Sequence, residues 1–273
     1  MPINTSSGAA ANPTDVSRGI FGATVGVDRL LKLWDKYGIK TTWFVPAHSL
    51  ESFPSQVAKI RDAGHEMFVK GPQERDVMKK SIEVLTAFTG KKPRGWTAPA
   101  WNTSKQSIKI LEESGIEYDH SFMHHDCQLY YTPDLTQEYK ETNIKEEASS
   151  WMSPMTKLTP SKIVTVPANW HLDDWPPLQV NFKSASGQGY VDPDVIEKLW
   201  KKQFDYFYRE YDAFFFPMTI HPQVSGKPHV ILMHENIIEY INSHDGVEWV
   251  TMEQMVAEFK SGRMQGAKVE GGV

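Results

Sequence analysis

The sequence predicts an α/β fold, a parallel sheet built of βα units and curled toward a barrel. Short apolar runs alternate with amphipathic segments along most of the chain. Successive helical segments stop at Gly38, Gly64 and Gly90, and glycine suits the left-handed turn that ends a helix. The run 213–218 is wholly apolar and breaks off into Thr219-Ile220-His221-Pro222. That is the pattern of a buried parallel strand whose C-terminal end opens onto a site.

The elements follow in order. Residues 25–37 carry Val27, Leu30, Leu31, Leu33 and Trp34 at helical spacing. Residues 40–45 are rich in strand formers. Residues 53–63 predict a helix, 65–69 a short strand, and 73–88 a second helix. A strand at 95–98, a helix at 104–114 and a strand at 117–121 continue the alternation. From about 123 to 185 the pattern is less regular, with apolar pieces at 163–167 and 178–182. Residues 193–211 predict a long amphipathic helix bearing Trp200, Phe204, Phe207 and Tyr208. After the strand ending at His221 come a turn, a helix at 229–242, a last strand at 247–251 and a last helix at 252–260. No repeat or low-complexity linker interrupts this series. The chain therefore reads as one domain over 13–260, with a polar extension at 1–12 and a frayed tail at 261–273.

Composition removes several function classes. With 273 residues, 40% of them hydrophobic, the chain can bury a sizeable core. A formal net charge of -5 leaves no footprint for a nucleic-acid partner. No apolar run approaches the roughly 18 to 20 residues that span a bilayer, so no membrane partner is expected. Residues 1–12 are polar and small, unlike a secretory signal. Cys127 is the sole cysteine, which excludes an internal disulfide and a thiolate-cluster zinc site. A cytoplasmic location is the expectation.

Several segments carry a resemblance. They are Asp15-Val16-Ser17-Arg18-Gly19, Gly38-Ile39-Lys40-Thr41-Thr42-Trp43-Phe44 and Ala63-Gly64-His65-Glu66. Ala98-Pro99-Ala100-Trp101, Tyr118-Asp119-His120-Ser121, Pro167-Ala168-Asn169-Trp170 and Leu172-Asp173-Asp174 follow. The His221 segment with Ser225-Gly226-Lys227-Pro228 completes the set. In this order they make the chain resemble the polysaccharide deacetylase, or NodB-homology, superfamily (carbohydrate esterase family four). Its intracellular branch, with peptidoglycan deacetylase-like, allantoinase-like and cyclic-imide-hydrolase-like proteins, is the most similar. The resemblance implies a distorted (β/α) barrel that hydrolyses a non-peptide C–N bond. In metal-holding members, an aspartate on the first strand and two histidines of an H-G-x-x-H motif bind zinc or another divalent cation, which polarises the carbonyl and activates water. A second first-strand aspartate is the base. A histidine near the C-terminal end, here His221, is the acid or a substrate contact.

The departures from that pattern fall on the chemistry. No Asp or Glu precedes Asp15, so the first strand and its carboxylates have no candidate, and the barrel is expected to lack that strand. After Gly64-His65-Glu66 the chain reads Met67-Phe68-Val69-Lys70-Gly71-Pro72-Gln73-Glu74. One alignment puts Lys70 and Glu74 where the two histidines belong. Another deletes about ten residues, because 73–76 already resembles the start of a helix. Either way the metal ligands are missing, and no cofactor is expected.

His65, at the start of a strand, reads as structural. His120 and His124 have an H-x3-H spacing that on a helix would suit a metal. They follow a strand, however, and the resemblance makes the stretch a loop beside the substrate pocket. Asp173 and Asp174, among Trp170, His171 and Trp175, read either as a solvated loop or as substrate hydrogen-bonding groups. His48 is a further rim candidate. Trp43, Trp96, Trp101, Trp170 and Trp175 fall near strand ends, as platforms for a planar ligand or as core.

The expected catalytic residue is His221, and the expected substrate contacts are Trp101, Trp170, Asp173, Asp174, His120 and Ser225. The expected activity is hydrolysis of a C–N bond in an N-acetylated sugar or a small cyclic amide or ureide. The alternative is an inactive homologue that keeps only binding or assembly. An open barrel edge would also allow pairing into a homo-oligomer.

Overall fold

Strands deliver the site, so their origin matters first. The computed structural model describes residues 13–71, 75–134, 141–155, 157–179, 189 and 191–269. Helix α1 (Pro13–Phe21) runs through a π-helical turn (Gly22–Gly26) into α2 (Val27–Tyr37). In α2 the buried residues Leu30, Leu33 and Trp34 form one stripe, and Gly38 ends the helix at φ 66°. Then come β1 (Thr42–Val45), α3 (Ala47–Ser52), α4 (Pro54–Asp62), β2 (Glu66–Lys70), α5 (Arg75–Thr89), β3 (Gly95–Thr97), α6 (Ser107–Glu113) and β4 (Tyr118–Asp119). Next are β5 (Tyr130–Pro133), α7 (Ala148–Trp151), β6 (Pro160–Thr165), α8 (Trp175–Leu178), α9 (Pro193–Glu210), α10 (Pro222–Ser225), α11 (Pro228–Asn242) and α12 (Met252–Lys260).

The strand order is β1-β2-β3-β4-β6-β5, with only β5 antiparallel. Val45, Val69 and Trp96 of the sheet pack against Leu50, Val57, Met78 and Leu111 of the helices. A second core lies between α9 and α11, where Trp200, Phe204, Met233 and Ile237 meet. No described helix is long and apolar enough to cross a membrane.

The described sheet does not close, and the sequence expectation needs correcting at two segments. Residues 213–221 and 247–251 are not strands; Thr219 makes a single parallel bridge with Asp173. The reason lies in the backbone partners. Pro217 has no N–H to give and Phe215 donates to Cys127 O in a neighbouring loop, so only the Thr219 N–H to Leu172 O and Asp174 N–H to Thr219 O bonds of that one bridge form. The apolar side chains Phe214, Phe216 and Met218 still pack on the second core. No described strand precedes β1, and residues 1–12 lie outside the described set. Helix α1 and antiparallel β5 are additions to the sequence reading. The run expected at 178–182 instead ends helix α8, and residues 180–182 lie outside the described set. In the tail, Ala267 N donates to Leu129 O at 2.8 Å, and Ala267 and Val269 pack on the core.

Candidate active site

Parallel register brings the C-terminal ends of β2, β3 and β4 together. Lys70 lies beside Thr97, and Trp96 beside Asp119, so Lys70, Ala98 and His120 arrive at one edge of the sheet. Asp173 joins through its bridge to Thr219, and two residues later the chain reaches His221. Lys70, Trp101, His120, Asp173 and His221 line one cavity of about 290 Å³.

His221 is held by its backbone and its ring. Its N–H donates to Asp174 Oδ2 at 2.9 Å, and Nδ1 lies 2.7 Å from Asp174 Oδ1. Ser225 Oγ donates to Asp174 Oδ2 at 2.6 Å and lies 2.7 Å from His234 Nε2. A carboxylate only accepts, so the single Ser225 proton is committed to Asp174, and His234 must donate from Nε2. By the same argument His221 carries its proton on Nδ1 and leaves Nε2 for a ligand. Burial holds the His234 pKa down to about 4, against a smaller opposite pull from Asp174, which suits a neutral donor.

This arrangement needs two glycines. A Cβ on Gly226 would sit 2.4 Å from Pro222 O and 2.5 Å from Gly26 Cα, and one on Gly26 would sit 2.3 Å from Pro222 O. Only bare backbone lets α10 approach the π-helical turn so closely.

Asp173 is 4% exposed and accepts from Trp175 N at 2.7 Å. Burial pushes its pKa up to about 6; His221 opposes the shift and Asp174 adds to it. His120 is buried, with Nδ1 2.9 Å from Val166 O and Nε2 3.0 Å from Thr219 Oγ1. The carbonyl can only accept, so Nδ1 donates and Nε2 accepts from the threonine hydroxyl. Burial, with a smaller push from Lys70, lowers the His120 pKa to about 4. Its ring stacks on Phe44 and meets the edge of Trp101. Trp101 and Ala100 stand at φ 50° and 51°, the left-handed region that side chains rarely adopt. Trp101 also packs edge-on against Trp170, with ring centres 4.6 Å apart.

His221, Asp173, His120 and Trp101 thus face the cavity together, while Trp170 lies outside the lining, against Trp101. Asp174 and Ser225 stand behind His221 rather than on the cavity wall. Burial of Asp173 and Asp174 rules out the solvated-loop reading. Of the remaining tryptophans, Trp43 lines the cavity, Trp96 is fully buried, and Trp175 packs against His221 at 4.9 Å. His48 is exposed on α3 and off the cavity, and His65 is buried with Nδ1 accepting from Thr41 N. The His120–His124 stretch is a loop, where His124 Nδ1 lies 3.2 Å from Tyr130 Oη. Sequence reasoning missed His234, although it shares the buried face of α11 with Val230, Met233, Ile237 and Ile241. It also missed Lys70 as a cavity residue.

The residues fit a divalent ion poorly. Asp173, Asp174 and His221 bring donor atoms within 4.8 Å of one another. Yet both Asp174 oxygens already accept hydrogen bonds, and His221 Nδ1 faces Asp174. The second cluster, His125, Asp126 and Cys127, is no better. His125 Nδ1 accepts from the backbone N–H groups of Asp126, Cys127 and Gln128, and burial pushes the Cys127 thiol up to about 12. Glu74 lies outside the described residues.

Comparison with known proteins agrees with this architecture. The polysaccharide deacetylase family model matches residues 21–119. A peptidoglycan deacetylase of Helicobacter pylori is 43% identical over 265 residues, 93% of this chain and 90% of that protein. A peptidoglycan deacetylase-like protein of Gibberella zeae is 35% identical over 266 residues, 90% of this chain and 78% of that one. The structure of Puue allantoinase superposes with a TM-score of 0.72 at 23% identity, over 93% of this chain and 78% of that one, a likeness of fold alone. With 43% identity to the Helicobacter pylori protein over 93% of its length, the chain belongs to the polysaccharide deacetylase family.

Proposed function

We propose that this protein hydrolyses an amide C–N bond, removing the acetyl group from an N-acetylated amino sugar. What supports this reading is the His221–Asp174 pair at 2.7 Å, set beside Asp173 in an aromatic-rimmed cavity. The relatives' names favour an acetylated sugar over a cyclic amide. A volume of about 290 Å³ is at the small end for ligand pockets and suits one sugar unit.

In this reaction Asp173, raised toward neutrality by burial, takes a proton from water as the water oxygen bonds to the acyl carbon. The C–N bond then breaks, and its electron pair leaves with the nitrogen. Protonated His221 delivers a proton to that nitrogen from Nε2. Acetate and a free amine are the products. Asp174 orients the imidazole and stabilises its charged form, while Ser225 and His234 hold Asp174. Trp101 and Trp170 offer apolar faces to the sugar ring.

Purified protein is expected to release acetate from N-acetylglucosamine oligomers, and His221→Ala to lower kcat/KM by about 10²- to 10⁴-fold. Release no faster than a blank, or an alanine variant as fast as the parent, overturns the reading. Faster ring opening of allantoin or a cyclic imide would change the substrate class and leave the chemistry in place. One reading favours a homologue that binds without turnover: under either alignment of the segment after His65, the two metal-binding histidines of the resemblance have no counterpart. Sugar binding with no acetate released would select that reading.

A further inference from the structure

We propose that the Lys70 ammonium is the fixed positive charge of this site, placed to bind the carbonyl oxygen of the scissile amide as it becomes an oxyanion, and then the carboxylate product. This inference rests on the hydrolase reading for its chemistry, though not for the anion binding itself.

The placement follows from β2. Its side chains alternate, so Val69 is fully buried in the core and Lys70 points the other way, at the strand's C-terminal end. Lys70 there shares the cavity wall with His120, Asp173 and His221. Among the described residues it has no hydrogen-bond or ion-pair partner; Asp173 and Asp174 act on it only through space. An ammonium carries three N–H donors and no acceptor, so a ligand in the cavity meets donors that the described protein leaves unused.

Charge balance points the same way. Asp173 is the carboxylate on the cavity wall and Lys70 is the ammonium that offsets it, whereas Asp174 is enclosed behind His221. Burial works against the ammonium, and the two aspartates partly restore it. A divalent cation would have to displace this charge. Lysine instead supplies hydrogen bonds to the place where negative charge develops, with nothing to recruit from solution. As water attacks, the C=O π pair moves onto oxygen and is held by Lys70. When the C–N bond breaks, that pair returns to re-form the carbonyl.

Lys70→Met keeps the length of the side chain and deletes the charge, whereas Lys70→Arg keeps the charge. Lys70→Met is expected to lower kcat on N-acetylglucosamine oligomers by about 10²- to 10³-fold, the loss typical of one oxyanion donor, with KM changed less than about threefold. Lys70→Arg should retain a measurable part of the activity. Acetate, the product anion, gives a readout free of turnover: its Kd, followed by NMR titration, should rise at least about tenfold in Lys70→Met. If the parent is inactive yet binds acetate through Lys70, the hydrolase reading fails and the anion site stands. If the parent is active and Lys70→Met is equally active, or binds acetate equally well, this inference is overturned and the hydrolase reading survives. Should Lys70→Met fail to fold, the Lys70 Cε resonance of lysine-labelled parent protein, assigned by its loss in Lys70→Arg, must shift on adding acetate. No shift overturns the inference.

Discussion

At the His221 end of the cavity, Asp174 accepts from a backbone amide, an imidazole and a hydroxyl, and that hydroxyl is itself held by His234. At the β2 end, Lys70 has no described partner and feels two carboxylates only at a distance. The first region uses its hydrogen-bonding capacity on itself and gains a fixed geometry. The second keeps its capacity in reserve for a ligand. Mutations in the two regions should therefore fail differently, the first through loss of both structure and rate, the second through rate alone.

The largest effect should come from the partnered end. Asp174→Ala leaves the Ser225 hydroxyl and the His221 amide buried without an acceptor, and should cost about 3 kcal/mol or more of unfolding free energy in a urea titration as well as abolishing acetate release. Retained stability would show that this network is not the rigid half.

Next is Gly226→Ala. Its Cβ must push Pro222 or Gly26 backbone aside, so a loss of about 1–3 kcal/mol is expected. Because the movement falls on the turn after His221, kcat should drop alongside the melting temperature. An unchanged kcat would separate the turn from the acid.

A third test uses pH. Burial holds His65, His120 and His234 down to about 4, and each such imidazole adds stability that is present above its usual 6.5 and lost as pH falls toward 4. Burial also pushes Glu66 and Asp119 up to about 7 and Asp173 up to about 6. Each of these acids favours the fold below its usual range near 4, an advantage lost as pH rises toward the shifted value. The two sets oppose each other in one window, so stability should be nearly flat between about pH 4.5 and 6.5. His65→Leu, outside the cavity lining, removes one imidazole. Stability should then fall with rising pH, by at most about 1.4 kcal/mol per unit. A level curve in this variant would mean that these groups are not buried as described.

The smallest effect is at the rim. Trp101→Ala gives up one aromatic face and should raise KM by about two- to tenfold, with kcat little changed. A large loss of kcat would place the indole in the chemistry of the Lys70 end.

Much of the sheet was readable from residues. The strands β1, β2 and β6 carry short apolar runs, and glycines such as Gly38 and Gly64 mark where the intervening helices stop. What failed was the assumption that an apolar run must also find a ladder. Residues 213–221 pack their phenylalanines as a strand would, but Phe215 N–H meets a loop carbonyl and only Thr219 pairs, in one isolated bridge. Antiparallel β5 escaped because it is four residues long and ends in proline. In the site, residue types pointed to His221 and to the acidic pair. They could not say that Asp174 would be enclosed behind the histidine while Asp173 faced the cavity, since adjacent positions differ only in direction. One of two alignments read Lys70 as a substitute for a family histidine, when strand alternation after Val69 already turned it away from the core.

The near-contact of Gly26 with the Pro222–Gly226 turn has a mechanical meaning. Ordinary side chains between two elements act as cushions and absorb small displacements, but here backbone rests on backbone. Any load on the N-terminal helices is passed without damping to the turn that follows His221. A bulky fusion attached ahead of α1 should accordingly slow turnover well before it lowers the melting point, and a tag beyond residue 269 should do neither.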